Sequence, residues 1–508
     1  MVVFLEYLIP KWILLQVSIV MLFLFYLVFK FRKIIRKEIE DHKKIYGLLL
    51  LVFLTGFTIR LVSIVHWQYI QADNEIYIVT SAFISDESRF IFESDPPTFP
   101  SLISLIIDLL DYNPSSGAVV NLFFGSLSII LIYIFTVLLF RNRTTSMISS
   151  VLLCFSNLHF DASINGGPFG VSIFFILTSL VLLRLAVLTK NNYFIPIAFA
   201  AGLAAQAYYF ELILVIPIII YLIINKVNVR YIFIFAIVTL ISILPFSVEQ
   251  YYATPNSIPA PDGFKDARLI SITKISCLWN KLNCNYFSGY MPRYNKYFNN
   301  TLLSGNELSG PKSYFLYLFM GRGRGYLDRE DYLKDGKIIT NPLVVLWNDP
   351  KKDNRVYVLY LLFVLYGIYC FRKKINELVL LLCIFFSFFL INSRYSWLVF
   401  IYMSEVESTI VIPLVSYGIY HLIRRLRTKM RLIAAIMIVI VMISPFFTEN
   451  KMESYNDYSL FNRNNDLKVK EWWKENTYCR RSNEEINYFC QKVYNFLDIK
   501  QSLKNRLE

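Results

Sequence analysis

The 508-residue chain is poor in charge: Asp, Glu, Lys and Arg make up only 17% of it, and it holds four histidines and seven cysteines. Set against 56% hydrophobic content, so few charges exclude a single soluble domain. No Walker A loop, no Gly-x-Gly-x-x-Gly run and no His-Glu-x-x-His helix occurs, which argues against an ATP-driven pump, and no internal repeat stands out. Ten-residue segments of alternating hydrophobicity do not recur either. The chain therefore does not read as a membrane barrel, and its spans are expected to be helices, whose backbone groups pair internally.

What is present is a succession of apolar runs near the length that crosses a bilayer, at residues 7–30, 46–65, 117–140, 145–160, 169–188, 193–207, 211–225, 230–247, 355–371, 376–392, 408–423 and 432–447. The expected fold class is an all-α polytopic membrane protein of about twelve transmembrane helices. The first run lacks a basic n-region and a small-residue cleavage site, so it reads as a retained helix rather than a signal peptide. Lys30 to Lys44, Arg141 to Arg143, Lys226 to Arg230, Phe371 to Lys374 and Arg424 to Arg431 put the bases on one side, expected to be cytoplasmic. The opposite short connections hold almost none, Arg89 being the only base between 67 and 116. The net charge of +14 is thus a topological bias, and no nucleic-acid partner is expected.

The layout divides into an extra N-terminal helix and basic loop (1–44), a transmembrane core (45–247) with an acidic first outer loop (67–116), a long extracytoplasmic loop (248–354), C-terminal helices (355–447) and a small extracytoplasmic tail (448–508). Cys154, Cys370 and Cys383 fall in spans and read as free thiols. Cys277 with Cys284 in the long loop, and Cys479 with Cys490 in the tail, read as two disulfides on the oxidising side.

The acidic loop carries the chemistry. Asp73 follows the outer end of the second span, and Glu75, Tyr77, Asp86, Glu87, Glu93 and Asp95 come before the chain re-enters the bilayer. If 73–82 is helical, Asp73 and Tyr77 share a face while Glu75 points elsewhere. The run from Asp95 to Asp111 reads as a Pro-started amphipathic helix at the interface. Arg60 sits inside the second span and needs an acid or a lipid phosphate as partner, or a path outward by snorkelling. Glu211, Glu405 and Glu407 read as acids near an interface, and His159 and Asp161 fall on an outer connection.

The opening span, then Asp73-Asn74-Glu75-Ile76-Tyr77 with Ala82, then Asp95-Pro96-Pro97-Thr98-Phe99-Pro100 and a helix with Asn121 and Gly125, resembles the first outer loop of the GT-C glycosyltransferases. Within them it is most similar to the protein mannosyltransferase and aminoarabinose-transferase branch. Ala201 to Glu211 and Glu405 to Pro413 resemble later parts of that superfamily, over a layout covering roughly 45–445. The resemblance implies a transferase that takes a sugar from a polyprenyl-phosphate-linked donor and gives it to a lipid, glycan or protein acceptor. It would work in the cell membrane, on the extracytoplasmic face.

By position Asp73 is the implied base or metal ligand, with Glu75 the displaced second acid, since Asn74 stands where the family often has Glu. Asp95 stands where the family often has His. A divalent cation, Mg or Mn, is compatible but not required; Asp161 would be its second ligand. Glycines and arginines at Gly321 to Gly325 suit phosphate contact through Arg322 and Arg324. Arg60, Arg394, Tyr77 and Asp95 complete the substrate- and phosphate-binding candidates. Lys470 to Asn476 contains a Trp-Trp pair similar to an oligosaccharyltransferase motif, but Lys474 holds the Asp position, and the segment reads as an amphipathic helix. Two other classes stay open: a secondary transporter or lipid-linked oligosaccharide flippase, which needs acids near mid-bilayer, and a GT-C-like scaffold without activity.

Overall fold

The apolar runs fold as helices, as they must where no water is present to bond the backbone. The computed structural model describes residues 2–66, 81, 84–85, 96–110, 116–164, 167–252, 333–334, 337–338, 355–392, 406–426 and 428–448. Helix α1 covers Val2–Lys30, α2 Arg32–Asp41, α3 Lys43–His66, α4 Thr98–Leu110 and α5 Ser116–Phe140. Then come α6 Arg143–Cys154, α7 Asn157–Ile164, α8 Phe169–Thr189 and α9 Phe194–Ala207. A 3-10 turn at Tyr209–Leu214 leads into α10 Val215–Ile224 and α11 Val229–Tyr252. The C-terminal group is α12 Arg355–Phe371, α13 Ile375–Asn392, a π turn at Glu407–Val411, α14 Ile412–Arg425 and α15 Thr428–Thr448. Between the two groups, β1 (Leu333–Lys334) pairs antiparallel with β2 (Lys337–Ile338).

Among the described residues, five helices (α1, α3, α5, α8 and α11) are long and apolar enough to cross a membrane, and a sixth span is made if α6 and α7 count as one bent unit. The other expected spans fall on α9, α10 and α12–α15, whose apolar stretches are shorter. The bundle is built around α8 and α5, whose most apolar stretches are 83% and 67% buried, against 22% for α1 and α11. Phe124 of α5 meets Phe174 and Phe175 of α8 at ring separations of 4.9 and 5.8 Å. In lipid such packing, rather than water exclusion, holds helices together, and small residues let backbones approach. Gly367 of α12 and Gly418 of α14 show this, since an added Cβ would collide with the Leu414 and Phe363 carbonyls respectively.

The basic connections gather at one end. Lys30 Nζ donates to Tyr193 Oη at 3.3 Å, and Phe140 stacks against Tyr417 at 4.4 Å. Arg184 donates to the Leu138 carbonyl and to Glu377, each at 3.1 Å, and to Tyr221 Oη. Arg141, Lys190 and Lys226, with φ of 54–55°, follow α5, α8 and α10 at this end in the left-handed conformation usual for glycine. Their positive charge at a helix C-terminus offsets part of the backbone cost of about 1–2 kcal/mol.

Three expectations are corrected here. The 145–160 run is not one straight helix: it bends by 58° between α6 and α7. The 211–225 run begins as a 3-10 turn. The interfacial helix after Pro97 exists as α4, but Phe99, Leu102, Ile103, Ser101 and Ser104 are buried, so it is packed into the bundle. Its Thr98 Oγ1 donates to the Leu203 carbonyl at 3.3 Å, tying it to α9.

Helix α2 is fastened to α6 by Glu38, which accepts from Arg143 Nε and, at 2.8 Å, from Arg143 Nη2. The guanidinium holds the Glu38 carboxyl below the usual glutamate value. A depressed folded-state value means that the pair stabilises fully above the unfolded pKa of about 4.3 and is lost as pH falls below it. Glu38→Gln is therefore expected to lower the Tm slightly at pH 7, by an amount that vanishes toward pH 3; the partial exposure of the pair keeps the effect small. A difference that grows on acidification would contradict the assignment.

Candidate functional site

Arg60 is the largest fully buried side chain in the described structure. Its position less than two turns before the end of α3 puts it at the non-basic end of the bundle. Nη1 donates to the Gly56 carbonyl at 3.0 Å; Nη2 reaches the Cys154 carbonyl at 3.3 Å and His159 Nδ1 at 3.0 Å. The guanidinium also lies 5.5 Å from the Phe160 ring centroid, and Asp161 is within its electrostatic reach.

The bend between α6 and α7 explains this arrangement. Ending α6 at Cys154 leaves its last carbonyls without helical partners, and a cation at that terminus suits both the Cys154 oxygen and the helix dipole. Ser156 then starts α7 as its N-cap, its Oγ accepting from the His159 N–H at 3.1 Å. The same hydroxyl donates to Glu407 Oε2 at 2.6 Å, joining the bend to the π turn before α14, and π turns recur at functional sites. Because a guanidinium only donates, His159 Nδ1 must accept, and the neutral ring carries its proton on Nε2. Among the described residues, neither His159 Nε2 nor Arg60 Nε has a hydrogen-bond partner.

The surrounding elements close on this cluster. Asn121 of α5 donates to the Gly167 carbonyl, and its Oδ1 accepts from the Val171 N–H at 3.2 Å, pinning the α7–α8 connection. Gly125 lies against Ser163, where a Cβ would clash with the hydroxyl; Ser163 in turn donates to the His159 carbonyl at 2.6 Å. Ser156→Ala removes both the cap and the hydroxyl offered to Glu407, and is expected to cost about 1–2 kcal/mol. Thermal unfolding of the purified variant checks this; an unchanged Tm would contradict the capping role.

His159 and Asp161 are therefore not solvated loop residues: both lie on α7, at 0% and 8% exposure. Arg60 does not snorkel outward but is enclosed. Glu211, expected near an interface, is wholly buried in the 3-10 turn, and Glu407 takes the Ser156 hydroxyl. Cys154, Cys370 and Cys383 are free thiols as read. Asp73, Glu75, Tyr77, Asp95, Arg322, Arg324, Arg394 and Glu405 lie outside the described residues, as do Cys277, Cys284, Cys479 and Cys490 with their expected disulfides. Ser81 and Ile84 are buried, Ile84 within the main core, so the acidic loop contributes to the bundle.

Among the described residues no group of three His, Cys, Asp or Glu stands close enough to hold a metal ion. Asp161 has a buried cation nearby and an imidazole whose Nδ1 is engaged, a setting that does not by itself fit a divalent ion.

Residues 94–251 match the family model described as dolichyl-phosphate-mannose-protein mannosyltransferase. No curated protein matches the chain. The fold is similar to the archaeal oligosaccharyltransferase AglB from Archaeoglobus fulgidus, solved with an inhibitory peptide and a dolichol-phosphate: TM-score 0.57 at 14% identity, over 90% of this chain and 60% of that one. The oligosaccharyltransferase of the same organism tethered to an acceptor peptide gives 0.54 at 15% identity, over 90% and 59%. Its complex with Zn and sulfate gives 0.52 at 14%, over 85% and 55%. This chain thus spans about 60% of the length of the solved structure.

Proposed function

With a fold of the GT-C membrane glycosyltransferase type as premise, we propose that this chain moves a sugar from a polyprenyl-phosphate-linked donor to an acceptor at the extracytoplasmic face. In this reading about twelve spans cross the cell membrane, the basic end faces the cytoplasm and the acidic loop faces outward. The supporting observation is the anchoring of that loop. It leaves α3 just beyond the enclosed Arg60 and returns through α4, which is bonded to α9, so both ends of the loop are fixed in the bundle.

The chemistry asks little more. Asp73 takes the proton from the acceptor nucleophile as that atom bonds to the anomeric carbon. The bond from that carbon to the phosphate oxygen breaks, and the polyprenyl phosphate leaves with the electron pair. Arg322, Arg324 and Arg394 are the proposed cations for the leaving phosphate. A role for Asp161 as metal ligand rests on Asp73 approaching it, and no step here depends on a metal.

The test is donor choice. Purified protein in lipid is supplied with radiolabelled sugars, either as polyprenyl phosphates or as nucleotide sugars. Label is expected to move only from the lipid-linked set. Transfer from nucleotide sugars would overturn the proposal, and no transfer from any donor would favour a transporter or an inactive scaffold.

A further inference from the structure

Helix α2 has no obvious place in sugar transfer, yet its composition is specific. It joins α1 to α3 through single residues at either end, Phe31 and His42, and both neighbours are long and apolar enough to cross a membrane. Chain length alone therefore holds α2 at the membrane surface, at the basic end. None of its residues is buried. Ile34, Ile35 and Ile39 are 67%, 36% and 42% exposed, and Phe25 and Phe29 near the end of α1 are exposed as well.

The charges are segregated along the helix. Arg32, Lys33, Arg36 and Lys37 occupy the first half; Glu38, Glu40 and Asp41 occupy the second. Two of those acids are engaged, Glu38 by Arg143 and Glu40 by Arg36 at 2.9 Å. Arg32 lies 4.2 Å from the Phe29 ring centroid, which holds its guanidinium beside the apolar surface. Arg36 is thus neutralised, while Arg32, Lys33 and Lys37 make no ion pair among the described residues and share the helix with exposed isoleucines, the pattern of a helix lying on an anionic membrane surface.

We propose that α2 is a docking surface for anionic phospholipid headgroups of the leaflet at the basic end, gripped by Arg32, Lys33 and Lys37 while Ile34, Ile35 and Ile39 sit among the upper acyl chains. The inference is independent of sugar transfer. A basic residue near an anionic surface is worth roughly fivefold in binding at low salt, so three such residues are a measurable recruiting device.

The full chain, reconstituted in phosphatidylcholine vesicles with a minor share of phosphatidylglycerol, is probed with spin-labelled versions of each lipid. Motionally restricted label should favour phosphatidylglycerol in the wild type, and the preference should fade at 1 M salt. In R32Q/K33Q/K37Q the preference should fall by roughly half or more with Tm unchanged, whereas R372Q/K373Q, at another basic turn, should retain it. Equal restriction of both lipids in the wild type would overturn the proposal. So would a triple variant that keeps the preference, or the same loss in both variants, which would mark a diffuse charge effect.

Discussion

Replacing Arg60 with leucine is expected to lower the stability of the bundle by about 2–4 kcal/mol, because it leaves buried acceptors unpaired. The Cys154 carbonyl loses its 3.3 Å donor at the α6 terminus, and His159 Nδ1 loses its 3.0 Å donor. Relief of the buried charge returns part of this cost, which is why the figure is below the sum of the separate losses. Arg60→Lys retains the charge but not the planar fork, so it should reach one of these acceptors and recover only part of the loss. Thermal unfolding in detergent or nanodiscs ranks the three proteins. An arginine that only gripped a substrate phosphate would lose activity in both variants while Tm stayed at the wild-type value, and that result would remove its structural role.

Asp73→Asn is expected to cut sugar transfer by about 10²-fold or more, with folding unchanged. The asparagine is nearly isosteric but takes no proton, so the acceptor nucleophile loses its base while the donor still binds. The loss should therefore fall on kcat, with donor KM little changed. Glu75→Gln should cost far less, because on a helix it points away from the face shared by Asp73 and Tyr77. Equal losses in the two variants would instead indicate an acid pair acting together.

The bundle itself was legible from hydrophobic runs, since lipid leaves the backbone only one way to pair over such lengths. The expected spans fall on helices, the 145–160 run being divided between α6 and α7, and five or six of them are long and apolar enough to cross a membrane. The clustering of Lys30, Arg141, Lys226 and Lys374 in the connections also matched the gathered basic end. The bend at Ser156 was readable in part: a serine before Asn157, with His159 at the third helical position, is an N-cap pattern, but the apolar run through it concealed the break. The pairing of Arg60 with His159, and of Ser156 with Glu407, left no trace in local sequence, because 99 and 251 residues separate the partners. An arginine inside an apolar run signals that a partner exists, without saying which. The burial of Glu211 and Asp161 was missed for the same reason: both stand at turn-like positions where exposure is the usual outcome, and only the packing of neighbouring helices encloses them.

The most direct test of the central claim is turnover of the purified protein in lipid with a pool of radiolabelled polyprenyl-phosphate sugars, wild type against Asp73→Asn, with and without chelator. The account predicts label transfer by the wild type and its loss in the variant; sensitivity to chelator would add a divalent ion to the chemistry. Equal transfer by both proteins would contradict the account by removing the carboxylate from the chemistry.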